Sequence, residues 1–469
     1  MTNTHLSPTS PQLAPDRFDP TAVTAFRYLS RHLDLRTGEA VLRYALDDLE
    51  FTERFTFPVP LVEVVPSRVA VVERLLDHLW LVAGLSYFKM AAPPVIRIEA
   101  GRFHRLDIEL HQLLLNRGLG EFCFVNGLDP QLRPTYEFQA LEELPEPITA
   151  VQFELGPLVP VGGGKDSCVS IEVLRAAGFH PTLVTVRRFP IIADVIDASG
   201  LADLHVERVL DPMVAQLNAR GALNGHVPAT AIVSFAALIV AALHGFDAVV
   251  MSNERSASEG NVLYRGVEIN HQWSKSVKAE SAITAAVARI TPELGWFSLL
   301  RPLSELHISH LFARHCSRYF STFSSCNRSQ IIDPTQRVAR WCRRCPKCQF
   351  VYLALAASMP RHQLEAIFGE DLFSTSTMDG FRSLLGLSSW KPFECVGESG
   401  ECRVALSMLI DSVEWAKHPV LVELTQEVRA ASLWPTATEV AEVYCAQTTS
   451  SVPQNYVHIV DSFGVDASG

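Results

Sequence analysis

The sequence contains no hydrophobic run long enough to cross a membrane. Its most membrane-like segment, residues 229–243, has 15 residues without a charge and is flanked by His226 and His244. A transmembrane helix needs about 20 apolar residues, so this segment predicts a buried helix. Residues 1–17 are rich in Ser, Thr and Pro and lack the apolar core of a signal peptide. We therefore expect a disordered N-terminal arm and a cytoplasmic protein without a membrane partner.

An excess of positive charge is also absent. The chain has 40 Lys and Arg residues against 51 Asp and Glu residues, which gives a net charge of −11. Proteins that bind nucleic acids need a dense basic face, so we expect no nucleic-acid partner. Ten cysteines in a chain without an export signal do not predict a disulfide framework. The 469 residues, 48% of them hydrophobic, predict a globular protein of two or three domains.

Strand-like and helix-like segments alternate from about residue 150. The strand candidates are 152–161, 182–186, 205–209 and 248–251, and the helix candidates are 167–177, 213–219 and 229–243. This spacing predicts right-handed βαβ units and therefore an α/β fold with a parallel sheet. Ligands of such sheets bind beyond the carboxyl ends of the strands.

The flanking regions complete the predicted domain order. Residues 18–150 are predicted to form an N-terminal α+β domain, with strands at 39–46, 51–58 and 122–125 and helices at 68–85 and 108–116. The parallel-sheet domain follows at 151–320, then a Cys-rich segment at 321–360, a helical C-terminal region at 361–446 and a loose polar tail at 447–469.

A glycine-rich loop separates the first strand of the parallel sheet from its helix. Residues 159–167 read VPVGGGKDS. Glycines without a Cβ let backbone amides close on an anion, and the following helix presents its positive end to the same point. The candidate phosphate-binding residues are Gly162, Gly163, Gly164, Lys165, Asp166 and Ser167. The alternative is a glycine-rich turn of no chemical importance.

This loop differs from the two commonest phosphate-binding motifs. Asp166 follows the lysine and Val159 stands where a Walker loop has its first glycine, while Ser167 occupies the last glycine position of G-x-G-x-x-G. The pattern resembles the loop of N-type ATP pyrophosphatases. Those enzymes cleave ATP between its α- and β-phosphates, release pyrophosphate and leave AMP on the substrate.

Residues 252–278 form a dense polar segment directly after the fourth strand of the parallel sheet. Glu254, Glu259, Glu268, His271 and Lys275 can move protons. Anionic and amide groups can be bound by Asn253, Asn261, Asn270 and Arg265. A solvated loop is the alternative, but the aromatic residues Tyr264 and Trp273 favour an ordered segment that lines a ligand.

Four cysteines have the spacing of a metal site. Cys326, Cys342, Cys345 and Cys348 form C-x15-C-x2-C-x2-C, and four thiolates satisfy tetrahedral Zn²⁺. An iron–sulfur cluster or buried, inert thiols are the alternatives. We expect a structural zinc knuckle. Cys123, Cys168, Cys316, Cys395, Cys402 and Cys445 have no such spacing and are expected to be core or surface thiols.

Several motifs together resemble one family of adenylating enzymes. GGGKDS, NGHVPAT, SNERSASEGN, GVEINHQWSKS and WCRRCPKC are similar to those of the bacterial UDP-N-acetylmuramoyl-L-alanyl-L-glutamate epimerases, over most of the chain. HVPA at 226–229 and the four cysteines also resemble 7-cyano-7-deazaguanine synthase. That enzyme is much shorter and would leave the first 150 residues unexplained.

The resemblance implies a core of the ATP pyrophosphatase fold and an ATP-dependent epimerisation in peptidoglycan precursor synthesis. Adenylation of the glutamyl carboxylate removes a negative charge and makes the α-proton acidic enough for a side-chain base. The implied substrates are ATP, water and UDP-MurNAc-L-Ala-L-Glu, which an upstream ligase that adds L-glutamate would supply. The implied products are AMP, pyrophosphate and the D-Glu epimer, with Mg²⁺ neutralising the pyrophosphate.

Individual roles follow from this implied reaction. Lys165 is expected to contact the β- and γ-phosphates, Asp166 to position Mg²⁺ or the loop, and Asn253 to bind the nucleotide. His271 is the leading base because it titrates nearest neutrality, and Lys275 is the second candidate if its pKa is lowered. Both could instead hold phosphates. Glu254 and Glu259 are further acid–base candidates or, alternatively, ligands of Mg²⁺.

Two other functions stay open at this point. Another adenylating enzyme, such as an amide ligase or a nitrile- or thiolation-type base-modifying enzyme, would need ammonia or a sulfur donor. A non-catalytic nucleotide-binding protein would not turn ATP over to AMP.

Overall fold

The computed structural model describes residues 17–138, 141, 143–331, 335–389, 391–447 and 452–466. The predicted N-terminal arm, 1–17, lies outside the described residues except for Arg17. Within the described ranges, no helix combines the length and apolar character needed to cross a membrane.

One ten-stranded sheet runs through the molecule. Its strands are β1 (Ala25–Asp34), β2 (Glu39–Leu46), β3 (Leu49–Thr56), β4 (Val95–Ile98), β5 (Thr135–Phe138), β6 (Leu155–Pro160), β7 (Thr182–Val186), β8 (Asp203–Val209), β9 (Phe246–Met251) and β12 (Gly295–Ser298). The spatial order is β12-β9-β6-β7-β8-β3-β2-β1-β4-β5. A separate hairpin pairs β10 (Val262–Tyr264) with β11 (Val267–Ile269).

The sheet has a parallel half and a mixed half. The strands from β12 to β8 are all parallel, which confirms the α/β class predicted for this part of the chain. The antiparallel strands β1 to β3 join it because β3 pairs with β8, and β4 and β5 continue parallel to β1. The sheet therefore continues across residue 150. The domain boundaries stay a prediction.

Sixteen α-helices lie in the described residues. They are α1 (Pro66–Phe88), α2 (Arg105–Gly118), α3 (Gly120–Val125), α4 (Lys165–Ala176), α5 (Pro190–Ser199), α6 (Met213–Ala219), α7 (Ala229–His244), α8 (Val277–Ile290), α9 (Glu305–His315), α10 (Pro346–Ala356), α11 (Arg361–Phe368), α12 (Met378–Leu384), α13 (Ser399–Asp411), α14 (Pro419–Ala430), α15 (Ala437–Tyr444) and α16 (Gln454–Asp466).

Hydrophobic cores cover both faces of the parallel half. Leu158 and Val249 face the core that contains α1, α7 and α8, whereas their neighbours Val159 and Val250 face the core of the C-terminal helices. Strands buried on both faces read as continuous apolar runs, which is how these strands read in the sequence. Burial of each such Val or Leu side chain stabilises the folded state by about 1.5–3 kcal/mol.

The charge-free segment 229–243 forms α7 in the first core, as predicted. It ends at Gly245, whose φ of +91° is a left-handed conformation that favours glycine. The Gly245 amide donates a hydrogen bond to the Ala241 carbonyl at 2.7 Å and so closes the helix.

One predicted strand was wrong. Residues 122–125 are not a strand but part of α3, because the amides of Cys123 and Asn126 donate helical hydrogen bonds to Leu119 and Phe122 at 2.9 and 3.1 Å. A four-residue apolar run fits either structure, and packing decides. In the tail predicted to be loose, 447–469, residues 448–451 and 467–469 lie outside the described residues. The described part contains α16, which packs through buried Tyr456, whose hydroxyl lies 3.1 Å from Asp247.

Candidate active site

The glycine-rich loop occupies the carboxyl end of β6, where the sheet topology places ligands. The Val161 amide still donates to the Val184 carbonyl of β7 at 2.9 Å, and the chain then turns through the glycines into α4. Gly163 has a φ of +79°, a left-handed conformation that favours glycine. A Cβ on Gly164 would lie 3.1 Å from the Ser325 hydroxyl. The backbone conformation therefore favours glycine at position 163, and the close approach of Ser325 favours it at position 164.

A cavity of about 370 Å³ opens beside the loop. The carboxyl ends of three adjacent strands contribute Pro160, Val186 and Met251. Its apolar wall includes Val184, Val186, Phe189 and Ile192, and its polar wall includes Asp166, Ser167, Asn253, Lys275, Lys347 and Cys395. Apolar surface with a few convergent polar groups is typical of small-molecule sites.

Lys165 does not face this cavity. Its side chain is fully buried, and the ammonium contacts the carboxylates of Asp166 and Glu305. Glu305 also pairs with Lys347, whose Nζ lies 3.3 Å away. Burial alone would raise the pKa of Glu305, but the charges of Lys165 and Lys347 outweigh burial and hold this pKa below its usual range. The predicted contact of Lys165 with phosphates stays a prediction.

Buried carboxylates and ammonium groups share the floor of the site. Asp166, Glu254 and Glu305 each have an oxygen within 4.8 Å of the others. Burial is the main cause that raises the pKa of Glu254, opposed by the charge of Lys275. Three lysines, at positions 165, 275 and 347, therefore balance three carboxylates.

Arg301 joins the two ends of the polar segment 252–278. Its guanidinium contacts the backbone carbonyls of Glu254 and Lys275 and pairs with Glu280 at 2.7 Å. This places Asn253 and Lys275 at the wall of the cavity. The sequence made Lys275 a candidate base on the condition that its pKa is lowered. Burial alone would lower this pKa, but the charges of Cys395 and Glu254 outweigh burial and raise it. Among the described residues, the buried side-chain amide nitrogen of Asn253 has no hydrogen-bond partner. Buried polar groups are normally satisfied, so this nitrogen is suited to a ligand.

Other candidates of the same segment lie away from the cavity wall. The carboxylate of Glu259 pairs with Lys391 at 2.6 Å. His271 contacts the carboxylate of Glu121 through Nδ1, and its ring lies against that of His226 with centroids 4.3 Å apart. Burial alone would lower the pKa of His271, but its interactions with Cys395 and Glu121 outweigh burial and raise the pKa to about 9.

Cys395 is a site residue that the sequence analysis missed. It lies in the cavity wall, where the charges of Lys275, His271 and Lys347 act on its thiol. Burial opposes ionisation, but these groups outweigh it and lower the pKa of the thiol to about 7. No spacing pattern marks this cysteine, so the sequence carries no signal for it.

The four predicted metal ligands come together. The Sγ–Sγ distances are 4.0 Å for Cys326–Cys345, 3.8 Å for Cys342–Cys348 and 3.5 Å for Cys345–Cys348. Zinc–sulfur bonds of about 2.3 Å in a tetrahedron require sulfur–sulfur distances of about 3.8 Å. Backbone amides of Cys345 and Cys348 donate to sulfurs at 3.3 and 3.4 Å. The donor set fits one zinc ion.

The cysteine cluster also supports the glycine-rich loop. The Ser324 amide, two residues before Cys326, donates to the Gly163 carbonyl at 2.9 Å. The Gln330 side chain donates to the Gly162 carbonyl at 2.6 Å. On the other side, α10 begins just after Cys345 and carries Lys347 to Glu305. The cluster therefore joins the loop to the charged floor of the site.

These features define the class of protein. It is an α/β protein whose candidate active site, with the glycine-rich loop and the buried charges, lies at the carboxyl ends of the parallel strands. Residues 17–299 match the family model of the MurL N-terminal domain, and residues 322–439 match that of the MurL C-terminal domain. The first match alone covers more than half of the chain. The chain belongs to the MurL family.

Three relatives share most of their length with this chain, and each is called UDP-N-acetyl-alpha-D-muramoyl-L-alanyl-L-glutamate epimerase. The Micromonospora sp. protein is 43% identical over 92% of this chain and 96% of its own length. The Salinispora tropica protein is 42% identical over 93% of this chain and 96% of its own length. The Xanthomonas oryzae pv. oryzae protein is 40% identical over 88% of this chain and 91% of its own length.

Proposed function

We propose that this protein is an isomerase that converts the terminal L-Glu of UDP-MurNAc-L-Ala-L-Glu into D-Glu. The names of three relatives at 40–43% identity support this reaction. The substrate carries L-glutamate, so a ligase that adds L-glutamate must act before this enzyme. The reaction belongs to peptidoglycan precursor synthesis and takes place in the cytoplasm.

ATP drives the reaction through an acyl-adenylate. The glutamyl carboxylate attacks the α-phosphorus of ATP, pyrophosphate leaves, and the carboxyl group loses its charge. The α-proton is then removed, because the enolate no longer places two negative charges on one carboxyl group. Reprotonation from the opposite face and hydrolysis give the D-Glu epimer and AMP.

The observation that supports the nucleotide chemistry is the glycine-rich loop facing a cavity with an apolar wall. The amides of Gly162 to Gly164 and the Ser167 hydroxyl are suited to phosphate oxygens, and the apolar wall is suited to adenine. Asn253 offers its unpaired amide nitrogen to the nucleotide. Asp166, at the cavity wall, would hold Mg²⁺ beside the phosphates, where the cation neutralises the departing pyrophosphate.

The test is turnover of the purified enzyme with ATP, Mg²⁺ and UDP-MurNAc-L-Ala-L-Glu. We expect AMP, pyrophosphate and D-Glu, the last detected by chiral analysis after acid hydrolysis. UDP-MurNAc-L-Ala, which lacks glutamate, is the control and should give no D-Glu. Formation of AMP without any D-Glu would contradict the proposed isomerisation. A requirement for ammonia or a sulfur donor would instead indicate a different adenylating enzyme.

The cysteine cluster holds one structural zinc ion in this proposal. The sulfur–sulfur distances of 3.5–4.0 Å and the amide donors to sulfur support it. Metal analysis should find about one zinc per chain, lost in Cys348→Ser and kept in Cys445→Ala, a change at an exposed cysteine. If the protein contains iron and absorbs visible light, the cluster holds an iron–sulfur centre and not zinc. If it contains neither metal, the metal site is refuted.

A further inference from the structure

Cys395 is held in the cavity by contacts with the polar segment 252–278. The Asn261 side chain donates to the Pro392 carbonyl at 2.6 Å, and the Gln272 side chain donates to the Val396 carbonyl at 3.2 Å. Between these two points, the Glu394 carboxylate accepts from the Lys347 amide at 3.0 Å. These hydrogen bonds fix the short stretch that carries Cys395 against the same cavity as the glycine-rich loop.

An imidazole and a carboxylate lie behind the Cys395 thiol, which itself lines the cavity. Glu121 on α3 contacts Nδ1 of His271, and the charge of His271 in turn acts on the thiol of Cys395 and helps to lower its pKa. A carboxylate that orients an imidazole, which in turn activates a nucleophile or base, is a recurring arrangement in catalysis. Here its three members come from α3, the polar segment and the stretch after α12.

The charges around the sulfur favour the thiolate. Lys275 faces it from the polar segment, Lys347 from α10, and the His271 ring from the side of Glu121. These groups outweigh burial and lower the pKa of Cys395 to about 7, whereas the pKa of His271 is raised to about 9. At neutral pH, His271 therefore already carries its proton, and the sulfur is the group able to accept one.

We propose that Cys395 is the catalytic base that removes the glutamyl α-proton, that His271 and Glu121 are its positioning residues, and that Lys275 returns the proton. This inference rests on the proposed epimerase function. The Cα–H bond breaks, its proton passes to the sulfur, and the electron pair moves to the carbonyl oxygen of the adenylated carboxyl group. Lys275 then donates a proton to the opposite face of the α-carbon. Water reprotonates Lys275 and receives the proton from Cys395.

The experiment separates adenylation from proton transfer. Wild-type enzyme, Cys395→Ala and Cys395→Ser are incubated with ATP, Mg²⁺ and UDP-MurNAc-L-Ala-L-Glu in D₂O. Pyrophosphate release, deuterium at the α-carbon and D-Glu are measured in each sample. Cys445→Ala is the matched control, since that cysteine is exposed and lies outside the cavity. Melting temperature and bound metal show that each variant is folded.

We expect both Cys395 variants to keep the first-turnover release of pyrophosphate within about threefold of wild type, because adenylation precedes removal of the α-proton. Their α-hydrogen exchange should fall by about 10²–10⁴-fold, the usual contribution of a general acid–base group. Lys275→Met should exchange the α-hydrogen but give no D-Glu. His271→Asn should raise the midpoint of the pH profile of exchange from about 7 toward about 8.5, the pKa of an ordinary thiol.

Other outcomes overturn specific parts of the proposal. Exchange at the wild-type rate in folded Cys395→Ala, or equal loss of first-turnover pyrophosphate release and exchange, excludes Cys395 as the base. An unchanged pH midpoint in His271→Asn excludes the positioning role, and inversion at the wild-type rate in Lys275→Met excludes Lys275 as the donor. A wild-type enzyme that releases no pyrophosphate and forms no D-Glu refutes the proposed function instead.

Discussion

Removal of the Lys165 charge should affect stability and chemistry in ways that can be separated. Lys165→Met keeps the length of the side chain but deletes the ammonium that contacts Asp166 and Glu305. The carboxylate of Glu305, which is 1% exposed, then stays buried with Lys347 as its remaining close partner at 3.3 Å. The double variant Lys165→Met/Glu305→Gln removes both members of the pair.

The magnitude follows from the burial of this pair. Removal of one partner of a buried ion pair destabilises a protein by about 3–5 kcal/mol. Because Lys347 still compensates Glu305, we expect the lower end, about 3 kcal/mol. An unfolding entropy of about 2.1 cal/mol/K per residue gives about 1 kcal/mol/K for 469 residues, so the melting temperature should fall by about 3 °C. The protein should stay folded, because total stability is about 5–15 kcal/mol.

The assay is a double-mutant cycle read by thermal unfolding and by pyrophosphate release. The double variant should regain about 2 kcal/mol, since no uncompensated carboxylate is left. Both variants should lose pyrophosphate release by about 10²–10³-fold, because Lys165 holds the Asp166 carboxylate that lines the cavity and this contact is lost in either variant. Lys278→Met, at an exposed position of α8, is the control. A double variant that regains both stability and activity would show that Lys165 has only a structural role.

Three further predictions test the loop and the buried acid Glu401. Asp166→Asn should lower pyrophosphate release by about 100-fold in a folded protein, and a normal rate would remove Asp166 from the phosphate site. Gly162→Ala should melt like wild type, since no atom lies within 4 Å of the added Cβ, but raise the KM for ATP; Gly156→Ala, equally open, should change neither value. Burial raises the pKa of Glu401 from 4.5 to about 7, so its contribution to stability is full below pH 4.5 and is lost as pH rises to about 7. The free energy of unfolding, measured with urea, should therefore decline less between pH 4.5 and about 7 in Glu401→Gln than in the wild type. An equal decline in the two proteins would contradict the raised pKa of Glu401.

The sequence by itself determined the features that depend on neighbours along the chain. The three glycines before Lys165 predicted the loop at the end of β6, because backbone freedom and the start of a helix are local properties. The charge-free run at 229–243 predicted α7. The strands around the loop were predicted from short, continuous apolar runs. The two-residue gaps between Cys342, Cys345 and Cys348 predicted their convergence, since such gaps leave thiols close together.

Tertiary structure decided the features whose partners are far apart in the chain. Lys165 meets Glu305 across 140 residues, and His271 meets Glu121 across 150. No local pattern encodes such pairs, because they depend on how helices and loops pack on the sheet. The same holds for β3, which pairs with β8 and extends the sheet beyond its parallel half. Cys395 is the clearest case: its sequence surroundings predict an ordinary thiol, and only packing against residues 252–278 brings it into the cavity with the phosphate loop.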